Sequence, residues 1–173
     1  MAEVFSDDLL AELRAGNDSA WSRFYDSIAG DIRAYAARLG AASPDDVLGE
    51  TMVQVVRSLP SFRGIATELR PWIFRIARNR VIDAGRRRNR RPRETELSDV
   101  HDPVLDGPET ALEGDLASML TGLTDDQRDA LWLRHVVGLS VEETANVMNR
   151  APEAVAALTH RAIRRLRAGF DRA

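Results

Sequence analysis

A chain of 173 residues with 44% hydrophobic content can bury the core of one medium domain or two small ones. It has no cysteine, which excludes disulfides and thiolate metal sites, and its three histidines, His101, His135 and His160, lack metal-ligand spacing; no metal and no cofactor are expected. Net charge is only -3, no apolar run is long enough to span a bilayer, and the acidic start MAEVFSDDLLAEL lacks a basic flank, so a cytoplasmic protein without membrane insertion is expected.

Ser6 is placed to cap a first helix whose Leu9, Leu10 and Leu13 are apolar, and Gly16, Asn17 and Asp18 read as its end and the next beginning. A second helix runs through Trp21, Phe24, Tyr25, Ile28, Ile32 and Tyr35 to Leu39 and Gly40, and the three-and-four spacing makes this aromatic stripe core. Ser43, Pro44, Asp45 and Asp46 combine a capping hydroxyl, a proline at the first helical position and carboxylates at the positive end of the dipole. The third helix is expected to reach about Leu59, burying Leu48, Met52, Val55 and Leu59. Asp46, Glu50, Gln54 and Arg57 lie opposite, with Val53 among them. That outer face reads either as solvated or as a partner surface. Pro60 ends the helix, and SFRGIATELR reads as a loop whose glycine and basic flanks suit approach to another surface.

The next stretch, PWIFRIARNRVIDAGRRRNRRPR, opens with a proline suited to the first turn of a helix and closes in arginines. Ile73, Ala77, Val81 and Ala84, with Phe74 beside them, form a stripe expected to be buried, and Trp72, Arg75, Asn79 and Asp83 form another. Between Arg63 and Arg93 stand eleven arginines against Glu68 and Asp83. Such a local reversal of charge reads as a polyanion footprint, or as a solvated basic tail after a core helix. All 24 basic residues are arginine, which favours bidentate phosphate and base contacts but equally fits a GC-rich coding sequence.

From Glu94 to Leu116 there are eight acidic residues and no arginine, with Pro103, Gly107, Pro108 and Gly114 interrupting; this reads as a linker in which Glu109 to Met119 could begin a short helix. Its acidity either keeps it extended or lets it occupy a nucleic-acid channel. Beyond it, the runs starting at Thr124 and Ser140 have the pattern of capping boxes. SVEETANVM, a tight turn at Asn149, Arg150 and Ala151, and a helix opened by Pro152 with Val155, Leu158, Ala162, Leu166 and Phe170 on one stripe make a helix-turn-helix pattern, or a three-helix packing module with no DNA role. The fold class expected is all-α: two small helical domains, residues 1–93 and 117–173, joined by an acidic linker at 94–116.

SPDDVLGETMVQVVRSLPSFRG with RPWIFRIARNRVIDAGRRRNRRP resembles the amino-terminal core domain of bacterial RNA polymerase sigma factors of the extracytoplasmic-function group within the sigma-70 family. LTDDQRDALWLRHVVGLSVEETANVMNRAPEAVAALTHRAIRRLRAGF is similar to their carboxy-terminal promoter-reading domain. The resemblance implies a transcription initiation factor, not an enzyme, that binds polymerase core, directs it to promoters and assists melting. It implies that Asp46, Glu50, Gln54 and Arg57 face the clamp helices of the largest polymerase subunit, with the flap of the second-largest subunit as a further partner. Minus-ten contacts then fall to Arg63, Trp72, Arg75, Asn79, Arg86, Arg87 and Arg88, and minus-thirty-five contacts to Arg150, Glu153, Thr159, His160, Arg161 and Arg164. It also implies promoter DNA and an anti-sigma protein as partners, a linker that threads towards the polymerase cleft, and association with the nucleoid when polymerase-bound. Two places depart from the family pattern: Gly49 stands where glutamine is usual, and Ala156, Ala157 and Leu158 stand where lysine and arginine are usual.

Unstacking ten base pairs costs about 14 kcal/mol, and stacking one captured base on a side chain returns about 1–3 kcal/mol. A chain of this size therefore depends on polymerase to melt a promoter. A stand-alone repressor or activator is one rival reading, and an interaction protein or enzyme is the other; no nucleophile-base pattern, metal set or phosphate-binding glycine loop supports enzymatic chemistry.

Overall fold

The computed structural model describes residues 5–90 and 122–170, with side chains through 87 and 169. The acidic stretch 94–116, including the helix anticipated from Glu109, and the arginines beyond Arg90 lie outside the described residues. The chain divides into two compact units, Met1–Leu97 and Ser98–Ala173. Every regular element among the described residues is helical.

In the first unit, α1 (Asp7–Arg14), α2 (Asp18–Arg38) and α3 (Pro44–Ser58) each begin on the side chain anticipated for them. Ser6, Asn17 and Ser43 accept from the backbone N–H groups of Leu9, Ala20 and Asp46 at 3.1, 3.0 and 3.2 Å. Each cap satisfies an N–H that the helix itself leaves orphaned. A 3-10 turn, Leu59–Ser61, follows α3 and leads to α4 (Ala66–Arg90). Phe24, Ile28, Ile32 and Tyr35 of α2 meet Val55 of α3 and Ile73, Phe74 and Ala77 of α4 in a fully buried core, with the Tyr35 ring edge-on to Phe74 at 5.3 Å. Burial of each large side chain contributes about 1.5–3 kcal/mol.

Several local expectations are corrected. The basic helix starts at Ala66 and not at Pro71, so half of the anticipated loop is helical and Pro71 lies inside the helix. It also continues through Gly85, and Ala84 is exposed rather than part of the buried stripe. In α3 the fully buried partner of Val55 is Thr51, while Met52 is half-buried. Tyr25 leaves the aromatic stripe for the surface.

In the second unit, α5 (Asp125–Leu131) runs into a π turn at Trp132–Val136, followed by α6 (Val141–Met148) and α7 (Pro152–Phe170). Both capping boxes form: Thr124 with Gln127, and Ser140 with Glu143, exchange side-chain and backbone hydrogen bonds reciprocally. Asn149 closes α6 in the left-handed region at φ 52, a conformation asparagine tolerates better than most residues. Leu133, Val147, Val155 and Ala162 form the core that seats α7 against α5 and α6.

Candidate functional site

The segment from Phe62 to Asn79 is braced from several directions. Arg14 donates to the Phe62 carbonyl at 2.8 Å, Arg63 donates to the Pro60 carbonyl at 2.8 Å, and the Ala66 N–H donates to the Asp7 carboxylate at 3.2 Å. The Phe62 and Trp72 rings stack at 4.8 Å, tilted by 40°. A Cβ added at Gly64 would lie 2.5 Å from the Phe62 ring and 2.6 Å from the Glu68 carboxylate. The glycine therefore serves close packing inside the segment.

Arg70 points inward. Its guanidinium pairs with Asp31 at 2.6 Å and sits 5.8 Å from the ring centres of both Phe5 and Phe74. Beyond it, α4 turns Arg75 and Asn79 to solvent on the same stripe as half-buried Trp72. Arg86 and Arg87 are exposed farther along, Arg86 3.8 Å from Asp83, while Arg88 is in the helix with no side chain described. The expected minus-ten residues Trp72, Arg75 and Asn79 are thus brought together, and Arg63 stands on the braced segment leading to them.

On α3 the outward stripe is Asp46, Gly49, Glu50, Val53, Val56 and Arg57, all exposed. Val53 and Val56 are 49% and 52% exposed, an apolar centre between charged ends. Gln54 is not part of it. Its side chain is half-buried, accepting from Arg80 at 3.0 Å and donating to the Ser58 hydroxyl at 2.6 Å. Val56 and Phe62 were absent from the sequence-derived contact set, although turning the wheel by one residue towards Val47 and Thr51 would have put Val56 outside. At the start of α3, Asp45 hydrogen-bonds Arg33 at 2.6 Å and raises the guanidinium above its ordinary pKa, chiefly through that hydrogen bond.

In the second unit the outward stripe of α7 is Glu153, Ala156, Ala157, His160, Arg161 and Arg164. The Thr159 hydroxyl is turned back onto the Val155 carbonyl at 3.0 Å, and Arg161 donates to the Ala157 carbonyl at 3.1 Å. Arg150 forms an ion pair with Asp126 of α5. Val136, on the π turn, is exposed beside His135. No group of histidine, aspartate and glutamate among the described residues could hold a metal ion, and none of the described helices is long and apolar enough to cross a membrane.

Residues 24–91 match Sigma-70 region 2, and residues 113–166 match Sigma-70, region 4. The chain is 35% identical over 134 residues to the ECF RNA polymerase sigma factor ShbA of Streptomyces griseus, covering 72% of this chain and 70% of that one. It is 32% identical over 173 residues to the ECF RNA polymerase sigma factor SigD of Mycobacterium tuberculosis, covering 93% and 82%. Among solved structures, the sigma factor RpoE of Bartonella quintana, in complex with the anti-sigma factor NepR, matches with a TM-score of 0.70 at 24% identity over 87% of this chain and 96% of that one. CnrH in complex with the cytosolic domain of CnrY matches with a TM-score of 0.65 at 27% identity over 96% and 97%. With both regions present in order, and relatives matched over most of their length, the chain belongs to the extracytoplasmic-function group of sigma-70 family sigma factors, transcription initiation factors that direct RNA polymerase and are not classical enzymes.

Proposed function

We propose that the first unit divides its labour between two helices: α3 docks on the clamp helices of the polymerase largest subunit, and α4 with the segment before it binds the minus-ten element and assists its melting. The observation that carries this reading is the outward stripe of α3, an apolar centre of Val53 and Val56 framed by Asp46, Glu50 and Arg57. An apolar patch with a charged rim is the anatomy of a protein contact, whereas the exposed arginines of α4 suit phosphates. Arg63, Arg75, Arg86, Arg87 and Arg88 supply backbone contacts, and Trp72 and Asn79 lie towards the bases.

The second unit, in this reading, sets α7 in the major groove of the minus-thirty-five element and offers Val136 of the π turn to the flap of the second-largest subunit. Ala156 and Ala157 supply no bidentate base contact, so Arg161 and Arg164 hold phosphates while Glu153 and His160 stand nearest the bases. We assign residues 94–116 to the linker that threads towards the polymerase cleft. A polypeptide antagonist of the kind NepR is for its own sigma factor completes the proposed partners, and the intracellular, nucleoid-associated site of action follows from them.

Run-off transcription on a genomic promoter library tests the assignment. Specific initiation is expected only when chain and polymerase core are both present. A site-specific duplex complex formed by the chain alone at physiological salt would overturn it in favour of a stand-alone repressor or activator.

A further inference from the structure

The helices α1, α2, α3, α5 and α6 begin on Ser6, Asn17, Ser43, Thr124 and Ser140, each accepting a backbone hydrogen bond. At α4 the cap position falls to Ile65. Its carbonyl accepts from the Glu68 N–H at 3.0 Å, and its own N–H donates to the Glu68 carboxylate at 3.0 Å. Isoleucine is among the poorest residues at a cap, because its side chain accepts nothing. Nor is the side chain buried: at 60% it is the most exposed large hydrophobic among the described residues. One position thus breaks both the capping rule and the burial rule, whereas α7, which also starts without a capping side chain, does so on the small Ala151. Local rules broken without structural gain are where function is found.

The backing of Ile65 is rigid. Asp7 holds the next N–H, the Gly64 Cβ space is filled by Phe62 and Glu68, and Phe62 is fixed against Trp72. In helical register Ile65 precedes Trp72 and Asn79 by one and two sevens, which sets it at the head of the stripe that also carries Arg75. A β-branched side chain has few χ1 states, so little freedom is lost when it is forced between planar groups. The flanking charge is mixed: Arg63 before it and Arg75 after are exposed cations, and the Glu68 carboxylate is held on the Ile65 N–H.

We infer that Ile65 is an unstacking wedge, inserted between two successive base pairs of the minus-ten element while the neighbouring arginines hold the phosphates. Apolar wedges that part a base step are an established device of DNA-bending proteins. The inference rests on the minus-ten reading above and adds the residue that starts the opening.

The test uses holoenzyme assembled from the full chain and core polymerase, on a promoter carrying a fluorescent adenine analogue in the minus-ten element, either fully duplex or with that element already mismatched open. Ile65→Ser is expected to bind core as the native chain does, to melt thermally no lower because serine is a better cap, and to open the duplex promoter about tenfold more slowly, a loss within the range of one stacking contact. On the mismatched promoter it is expected to act like the native chain, and Ile65→Leu is expected to retain most of the duplex activity. Opening at the native rate by Ile65→Ser would overturn the wedge, as would an equal loss on the mismatched promoter. Loss of core affinity would make Ile65 a polymerase contact and overturn it too. Failure of the native holoenzyme to open the minus-ten element would sink that reading and the wedge together, whereas native opening matched by Ile65→Ser sinks the wedge alone.

Discussion

The Glu50 carboxylate on α3 and the Arg87 guanidinium on α4 stand 3.7 Å apart, so the helix assigned to polymerase and the helix assigned to DNA meet in an ion pair. Both groups are exposed, and such a pair contributes about 0–1 kcal/mol to the fold. Arg87→Ala is therefore expected to leave the melting temperature nearly unchanged. Holoenzyme affinity for promoter DNA, followed across a salt series, is expected to lose about one unit of logarithmic slope, the signature of one phosphate contact removed. A lower melting temperature with an unchanged slope would make Arg87 a brace.

Gln54 and Val53 are neighbours in sequence with opposite expected phenotypes. Gln54→Ala removes hydrogen bonds to Arg80 and Ser58 and is expected to destabilise the chain by about 1–2 kcal/mol in urea unfolding, with polymerase affinity intact. Val53→Glu is expected to leave unfolding unchanged and to abolish capture by immobilised core, because it puts a charge in the apolar centre of the docking stripe.

Two glycines make a matched contrast. At Gly49 an added Cβ meets open space, so Gly49→Ala is expected to raise stability by up to about 1 kcal/mol through helix propensity. At Gly64 the Cβ would lie 2.5 Å from the Phe62 ring, so Gly64→Ala forces the braced segment to shift and is expected to destabilise by about 1–3 kcal/mol. Thermal melts of the two variants should move in opposite directions.

In the second unit, Thr159→Ala is expected to leave promoter choice unaltered, since its hydroxyl is engaged with the Val155 carbonyl. Arg161→Ala is expected to weaken binding alike at all upstream sequences. Saturation mutagenesis of a target promoter checks both; single-position relaxation in Thr159→Ala would show direct reading by that residue.

Helix starts were legible because capping is local chemistry: Ser6, Asn17, Ser43, Thr124 and Ser140 announce themselves within four residues. The start of α4 was not, for the same reason in reverse. Ile65 carries no cap signal, and Pro71, a good first-turn residue, drew the boundary five residues too late. Trp72, Arg75 and Asn79 could be grouped from the helical period alone, whereas Gln54 could not be separated from Glu50 without knowing that Arg80 lies opposite it. The π turn at Trp132–Val136 was equally hidden, since an extra residue in a helical turn leaves no mark in composition.

The Arg80 to Gln54 hydrogen bond fastens α4 to α3, and Gln54 is held in turn by Ser58 of its own helix, with side chains that neither outward stripe uses. On the proposed division of labour, substitutions in either stripe leave this joint in place, and the link between the stripes is the exposed Glu50–Arg87 pair. On that proposed division, where several such factors compete for one polymerase, altering α4 at positions other than Arg87 redirects the factor to new genes while its share of the enzyme, assigned to α3, stays as it was. Under that assignment, regulon and competitiveness are separately heritable traits of one helical hairpin, except where Glu50 meets Arg87.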